Sequence, residues 1–193
     1  VLALDPATLQ TTGSYTFNDG ELGALAMASD GTGLYASFRS GLPIRHLALP
    51  ALVNDFTILP PAKPPGSSYY LASLLPLSGQ PQSLLVSRAN GDTSDVSVYD
   101  GTVQRTVRAA VDQQLELPPV LVAGGTADTF YGYRRAGGPT GVRTVDRYTV
   151  TSAGVTDTAS VADPWLPNVV GLPEKLRFAN GLLFDEYSRA IDP

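Results

Sequence analysis

An internal repeat constrains this chain more than any other feature of its sequence. A phrase that alternates apolar and polar residues, runs into a turn and leaves it as another strand recurs five times. It reads VLALDPATLQ at 1–10, RHLALPALVN at 45–54, VSVYDGTVQ at 96–104, RYTVTSAGV at 147–155 and RAIDP at 189–193. Aligning Pro6, Pro50, Gly101, Ser152 and Pro193 gives intervals of 44, 51, 51 and 41 residues. These lie near the ~40–50 residue period of a four-stranded propeller blade. A second phrase repeats inside each interval: SDGTGLYASFR at 29–39, SGQPQSLLVSR at 78–88, GGTADTFYGYR at 124–134 and NGLLFDEYSR at 180–189. Turn-forming residues come first and an apolar or aromatic strand follows, the pattern of a tight hairpin. Each hairpin is preceded by a nearly continuous apolar run: ALAMAS at 24–29, LASLLPL at 71–77, PVLVAG at 119–124 and KLRFAN at 175–180. Such runs suit an inner strand covered on both faces.

Each period thus has an inner strand, a hairpin into a second strand, an alternating third strand, and a polar outer strand such as DFTILP at 55–60 or TVQRTVR at 102–108. The expected fold is all-β: a β-propeller of about four blades of four antiparallel strands. The outer strands of one blade fall at 1–17, whole blades at about 18–60, 61–108 and 109–162, and the inner strands of a last blade at 163–193. Joining the two partial blades would close a four-bladed ring through a composite sheet with no open edges. Leaving them apart makes the chain an open arc of a larger ring, which the strand–turn unit interrupted at Asp192-Pro193 favours. PAKPPGSSYY at 61–70 and DPWLPNVVGLP at 163–173 are expected to be loops, because their prolines cannot donate to a ladder.

Composition narrows the function classes. Of the 193 residues 43% are hydrophobic and the formal charge is only −5, enough apolar content to bury a core. The 35 Gly and Pro (19 and 16) are too dense for a helical bundle. With no Cys and one His there is no disulfide frame, thiolate site or multi-histidine metal site. Asp and Glu outnumber Lys and Arg by 18 to 13, which argues against nucleic acid as a partner. No apolar run approaches the ~20 residues that cross a bilayer as a helix, and no signal peptide is visible.

The phrases VLALDPATLQ, ALAMASDGTGLYASF and RAIDP resemble the bacterial β-propeller repeat proteins of the YVTN and lactonase-like group. In that group V-x-x-I/L-D-x-x-T third strands alternate with L-A-x-S-x-D-G-x-x-L-Y-V hairpins. Residues 24–59 carry the clearest match, and later copies depart from it at Thr129-Phe130-Tyr131 and Leu183-Phe184. The resemblance implies a propeller typically of seven blades in a secreted, periplasmic or cell-surface protein. Its function would be that of a scaffold or binding module. The alternative it implies is a lactonase-like or other hydrolase propeller with a divalent-metal site at the channel mouth, partly in blades outside this chain.

Three sets of residues are candidates for a site. Arg39, Arg88, Arg134 and Arg189 end the second strand in four successive copies. On one propeller face they would form a ring able to bind carboxylate, phosphate or acidic glycan. The competing role for each is an ion pair with a neighbouring blade's Asp, for instance Asp30, Asp92 or Asp185, or packing of its stem against a strand end. Glu21, Glu116 and Glu174 each precede an inner strand and offer an oxygen set suited to Ca²⁺, against a role as solvated loop carboxylates. Tyr69, Tyr70 and Trp165, in loops leading into inner strands, could stack on a sugar or grip a protein partner, or pack under their own loops. His46 lies in a third strand without a nucleophile partner, and GGPTG at 137–141 and AGGTA at 123–127 read as hairpin turns.

Overall fold

The computed structural model describes residues 1–38, 43–59, 69–90, 93–111, 120–135, 143–162, 175–185 and 189–193. Within the strands it describes the backbone alone at Tyr69, Tyr70, Ala72, Ala89, Asn90, Thr93, Ala110, Val111, Arg134, Arg135 and Arg143. The described residues form eighteen β-strands and no helix, in five antiparallel sheets that follow one another along the chain. Sheet I is β1 (Leu2–Leu4) and β2 (Thr11–Ser14). Sheet II is the meander β3 (Leu22–Met27), β4 (Gly33–Phe38), β5 (Ile44–Ala48) and β6 (Val53–Ile58). Sheet III holds β7 (Tyr69–Leu77), β8 (Gln80–Asn90), β9 (Thr93–Asp100), β10 (Val103–Gln104) and β11 (Ala109–Val111). Sheet IV is β12 (Val120–Ala123), β13 (Thr129–Arg135), β14 (Arg143–Thr151) and β15 (Gly154–Ala162). Sheet V is β16 (Leu176–Ala179), β17 (Leu182–Asp185) and β18 (Ala190–Ile191).

Side chains on successive strand positions point to opposite faces, so a strand of a middle sheet feeds two cores. In β8, Leu84 and Val86 join Tyr35, Ile44 and Ile58 of sheet II, while Leu85 joins Leu121, Phe130 and Tyr148 of sheet IV. On the far face of sheet IV, Tyr131, Tyr133 and Val145 pack with Leu183 and Ile191 of sheet V. The first strands β3, β7, β12 and β16 lie next to one another in chain order. A side-chain bond crosses between two of them, where the buried Ser73 hydroxyl of β7 accepts from the Leu121 N–H of β12 at 2.9 Å.

Contacts between neighbouring sheets fix their mutual orientation. Tyr35, early in β4, donates its hydroxyl to the Pro81 carbonyl, early in β8 (3.0 Å). Between sheets III and IV the Arg105 guanidinium donates to Gln80 at the start of β8 and to the Thr151 carbonyl at the end of β14. A Cβ on Gly125, in the β12–β13 turn, would lie 3.3 Å from Phe178 near the end of β16. The tight turns between first and second and between third and fourth strands therefore share one side, here the turn side. Every connection from second to third strand, and from one sheet to the next, leaves from the opposite loop side.

Several expectations are corrected. Tyr69 and Tyr70 open β7 instead of lying in a loop, because β8 runs on to Asn90 and pairs with them as Tyr69↔Asn90 and Tyr70↔Ala89. The outer strand expected at 102–108 is broken: β10 and β11 both pair with β9, and between them Thr106 and Val107 turn to bond with sheet IV. In β3 only the alanine face is covered, while Leu25 and Met27 on the other face are 47% and 54% exposed. Sheets I and V, at the positions of the two expected partial blades, do not form a composite sheet among the described residues, since β1 ladders with β2 alone and β18 already fills the edge of β17. Residues 61–68 and 163–173, expected as loops, lie outside the described residues, as does GGPTG.

The 105–108 excursion is held by backbone bonds. Val107 donates to the Ala153 carbonyl (2.9 Å) and accepts from the Val155 N–H (3.1 Å), forming an isolated bridge with Gly154. Gly154 has φ +141°, and a Cβ there would stand 1.9 Å from the Val107 carbonyl oxygen. Gly101, at φ +55°, has nothing within 4 Å of its would-be Cβ. Gly154→Ala is therefore expected to cost about 3 kcal/mol through strain and overlap. Gly101→Ala should cost roughly 1 kcal/mol from its left-handed backbone alone. Urea midpoints measure both, and equal losses would refute the bridge as a close tie between sheets.

Candidate functional site

The sequence-predicted residues sit at loop-side ends of strands or in loop-side connections. Glu21 is exposed just before β3, Arg88 is near the end of β8, Arg134 near the end of β13, and Arg189 just before β18. Tyr69 and Tyr70 start β7. Arg39, Glu116, Trp165 and Glu174 belong to the connections 39–42, 112–119 and 163–174, outside the described residues. The side chains of Arg134, Tyr69 and Tyr70 are likewise outside them.

Both arginines with described side chains are engaged within their own sheets. Arg88 is buried, and the β8–β9 register sets it opposite Asp95. Its Nε donates to Asp95 Oδ1 at 2.8 Å and one terminal nitrogen to Oδ2 at 3.1 Å, a bidentate pair. The other terminal nitrogen donates to the Tyr99 hydroxyl at 2.7 Å. That hydroxyl donates to Gln104, whose amide donates to Ser97. Burial alone would depress the Arg88 guanidinium, but Asp95 and Tyr99 hold it above its ordinary value. Arg189 repeats the arrangement: its guanidinium pairs with Asp185, whose carboxylate also accepts the Arg189 N–H at 3.0 Å. Burial again opposes the charge, and Asp185 and Tyr133 outweigh it.

The partners differ from those expected. Arg88 takes the directly opposed Asp95, and Arg189 takes Asp185 of its own sheet instead of a neighbouring sheet's Asp. Arg108 also donates to Asp95, at 3.1 Å, with its side chain 56% exposed. Removing Arg88 leaves the buried Asp95 carboxylate with the exposed Arg108 as its one arginine partner, so Arg88→Ala should cost about 3 kcal/mol. Arg108→Ala should cost under ~1 kcal/mol. Chemical denaturation of the two variants tests this, and a near-neutral Arg88→Ala would release Arg88 from its structural role.

Sheet II contributes a third arginine. Arg45 grips Asp19 in the β2–β3 connection through Nε and a terminal nitrogen at 2.6 and 2.7 Å, which holds the Asp19 carboxyl below its usual range. Phe17 meets Phe38 edge-on at 5.1 Å, so an ion pair and a ring contact tie the β2–β3 connection to sheet II, and Gly13 of β2 lies against the Pro50 carbonyl of the β5–β6 turn.

His46 is a core residue. Its ring stacks on Phe56 at 4.5 Å and lies 4.7 Å from Tyr35, with Nε2 turned to Gly33, where a Cβ would stand 2.0 Å away. Nδ1 lies 3.3 Å from Asp55 Oδ2, outside hydrogen-bonding geometry. Burial lowers the His46 pKa below 6.5, against the opposing pull of Asp55. The unfolded chain therefore binds a proton more readily at this position. The stability from neutral His46 is complete above the unfolded value of ~6.5 and is lost as pH falls from there towards the lower folded value. In urea titrations between pH 7.5 and 5, His46→Leu should flatten the decline of the midpoint, and parallel declines in the two proteins would contradict this.

Sequence reasoning missed the carboxylate of Asp146 on β14, which is fully buried and accepts from Ser160 (2.7 Å) and Tyr148 (3.3 Å). It missed the turn-side network too, in which Asp100 accepts from Arg105 and Ser83 and is thereby held below the usual carboxylate range. Among the described residues no three His, Cys, Asp or Glu converge to hold a metal, and no helix is long and apolar enough to cross a membrane. On the described surface of sheet V, an open cavity of about 900 Å³ runs along β16 and β17, lined by Lys175, Arg177, Ala179 and Phe184 among others. Compared with known families and curated proteins, the chain matches no family model and no curated sequence.

Proposed function

We propose that this chain is an arc of a β-propeller of the YVTN-like kind and acts as a non-enzymatic binding scaffold, with its recognition surface on the loop side. The observation that carries the reading is the division between the two sides. The connections from one sheet to the next, each of seven residues or more, all leave from one side, whereas the turns on the other side have six residues or fewer. Side-by-side first strands and cores shared between neighbouring sheets support the blade arrangement.

The partner suited to that side is a protein or a glycan, met through the connections that carry Trp165, Arg39, Glu116 and Glu174 and through Tyr69 and Tyr70 at the start of β7. Arg88 and Arg189 support the rim from beneath, because their guanidinium groups are engaged by Asp95 and Asp185. By resemblance the setting is extracytoplasmic and bacterial.

The hydrolase alternative makes a distinct demand on the same side: Glu21 must act with Glu116 and Glu174 around a Ca²⁺ ion. The test incubates the chain with simple lactones and aryl esters, with and without Ca²⁺, and records melting under both conditions. The scaffold reading expects no turnover and no Ca²⁺-dependent rise in Tm. Ca²⁺-dependent turnover that is lost in Glu21→Gln would overturn it.

A further inference from the structure

His46 and Asp55, on the neighbouring strands β5 and β6 of sheet II, stand together without bonding. The His46 side chain is only 6% exposed, and neither ring nitrogen has a hydrogen-bond partner. Its ring is held on three sides: Phe56 stacks on it at 4.5 Å, Tyr35 lies 4.7 Å away, and Nε2 is so close to the Gly33 backbone that a Cβ there would stand 2.0 Å from it. Asp55 is less confined. It is the residue skipped where the β5–β6 register shifts between His46↔Phe56 and Leu47↔Asn54, and a bulge of this kind re-aims a side chain. Its side chain is 47% exposed, with Oδ2 3.3 Å from His46 Nδ1.

We infer that these two residues form a pH-operated latch: with His46 neutral the Asp55 carboxylate stays half-exposed at the outer edge of sheet II, and protonation of His46 draws it in to accept from Nδ1. The carboxylate is the part that moves, because the ring is held. A closing shift of about 0.5 Å takes the pair into the ~2.7–2.9 Å range of a charge-assisted bond. Phe56, within 11° of parallel, presents its ring face to the imidazolium and favours the charged form. The other groups around His46 leave Asp55 as its counter-ion. Asp30, in the β3–β4 turn, already accepts from the Thr32 N–H and hydroxyl. The Tyr35 hydroxyl of β4, pushed up to about 12 by burial, stays neutral. Arg45, the other charged residue of β5, lies on the opposite face and is bound to Asp19. From sheet III the Tyr99 ring joins the same core, and the charges there pair with one another, Arg88 with Asp95 and Arg105 with Asp100. Asp55 is the one charged residue of β6. The outer edge of sheet II therefore carries a solvated carboxylate at neutral pH and an internal ion pair in acid. The inference concerns sheet II alone and stands whether or not the loop side is a recognition surface.

Nuclear magnetic resonance of the whole labelled chain, titrated downward from neutral pH, follows the ring nitrogens of His46, the chain's single histidine, together with the Asp55 carboxyl carbon. The Asp55 signal should shift with the same midpoint as the ring. Asp55→Asn should move the His46 midpoint to lower pH, because the imidazolium loses its counter-ion, and Asp30→Asn should move it less. At neutral pH, with the latch open, Asp55→Asn should leave the urea midpoint unchanged. A His46 midpoint unmoved by Asp55→Asn, or moved as far by Asp30→Asn, would overturn the inference. So would an Asp55 signal that does not follow His46, or a lower urea midpoint for Asp55→Asn at neutral pH, which would place Asp55 in a bond before His46 is protonated.

Discussion

The structure depends on one geometric constraint: neighbouring residues of a strand face opposite ways, and in the middle sheets both ways lead to a core. Leu84, Leu85 and Val86 are consecutive, yet they divide between the core shared with sheet II and the core shared with sheet IV. Burying side chains of this size contributes about 1.5–3 kcal/mol each, so neither face of sheet III can be left bare without a large loss. A sheet of this kind needs a neighbour on each side, and the fold meets the need by placing the next repeat against it. Stability in such a stack is mostly a sum of terms between neighbours. The uncovered face at β3 and the cavity along β16 and β17 are the ends of the same series.

Polar groups add direction to a stack that apolar contact alone would leave free to slide. The hydroxyl of Tyr35, whose pKa burial pushes up to about 12, stays a neutral donor aimed at Pro81. Ser73 and the Val107–Gly154 bridge fix sheet III against sheet IV at two heights. The arginine–aspartate pairs work within sheets or at their edges: Arg88 joins β8 to β9, Arg189 closes the passage from β17 to β18, and Arg45 retains sheet I. A buried ion pair of this sort yields little net stability but is costly to break, so its main effect is to make one register much better than its alternatives.

The repeat made the strand content and much of the strand order legible, because a change of face every residue and a turn every few residues leave a periodic trace. The Arg88–Asp95 pair was legible as well. A two-residue connection after Asn90 sets residues whose numbers sum to 183 opposite one another, so Arg88 must face Asp95. Treating arginine as a periodic ring hid that local arithmetic. The break in the outer strand at 105–108 was not legible, since its cause is a carbonyl on Val107 meeting a glycine 47 residues later. Asp146 left no trace because an acidic residue in an alternating strand reads as solvent-facing until the second sheet is in place. Tyr69 and Tyr70 were misplaced because prolines upstream marked a loop without marking its end.

The account stands or falls on adjacent sheets lying face to face with their tight turns on the same side. A chain without cysteine suits site-directed spin labelling. Labels at Ser78→Cys in the β7–β8 turn and Ala127→Cys in the β12–β13 turn lie at exposed positions in the corresponding turns of sheets III and IV. Pulsed dipolar spectroscopy should return a single distance of roughly 15–25 Å, the ~10 Å spacing of packed sheets plus the label arms. A distance well beyond about 30 Å, the length of a nine-residue strand such as β7, would put the turns at opposite ends and contradict the stacked arrangement.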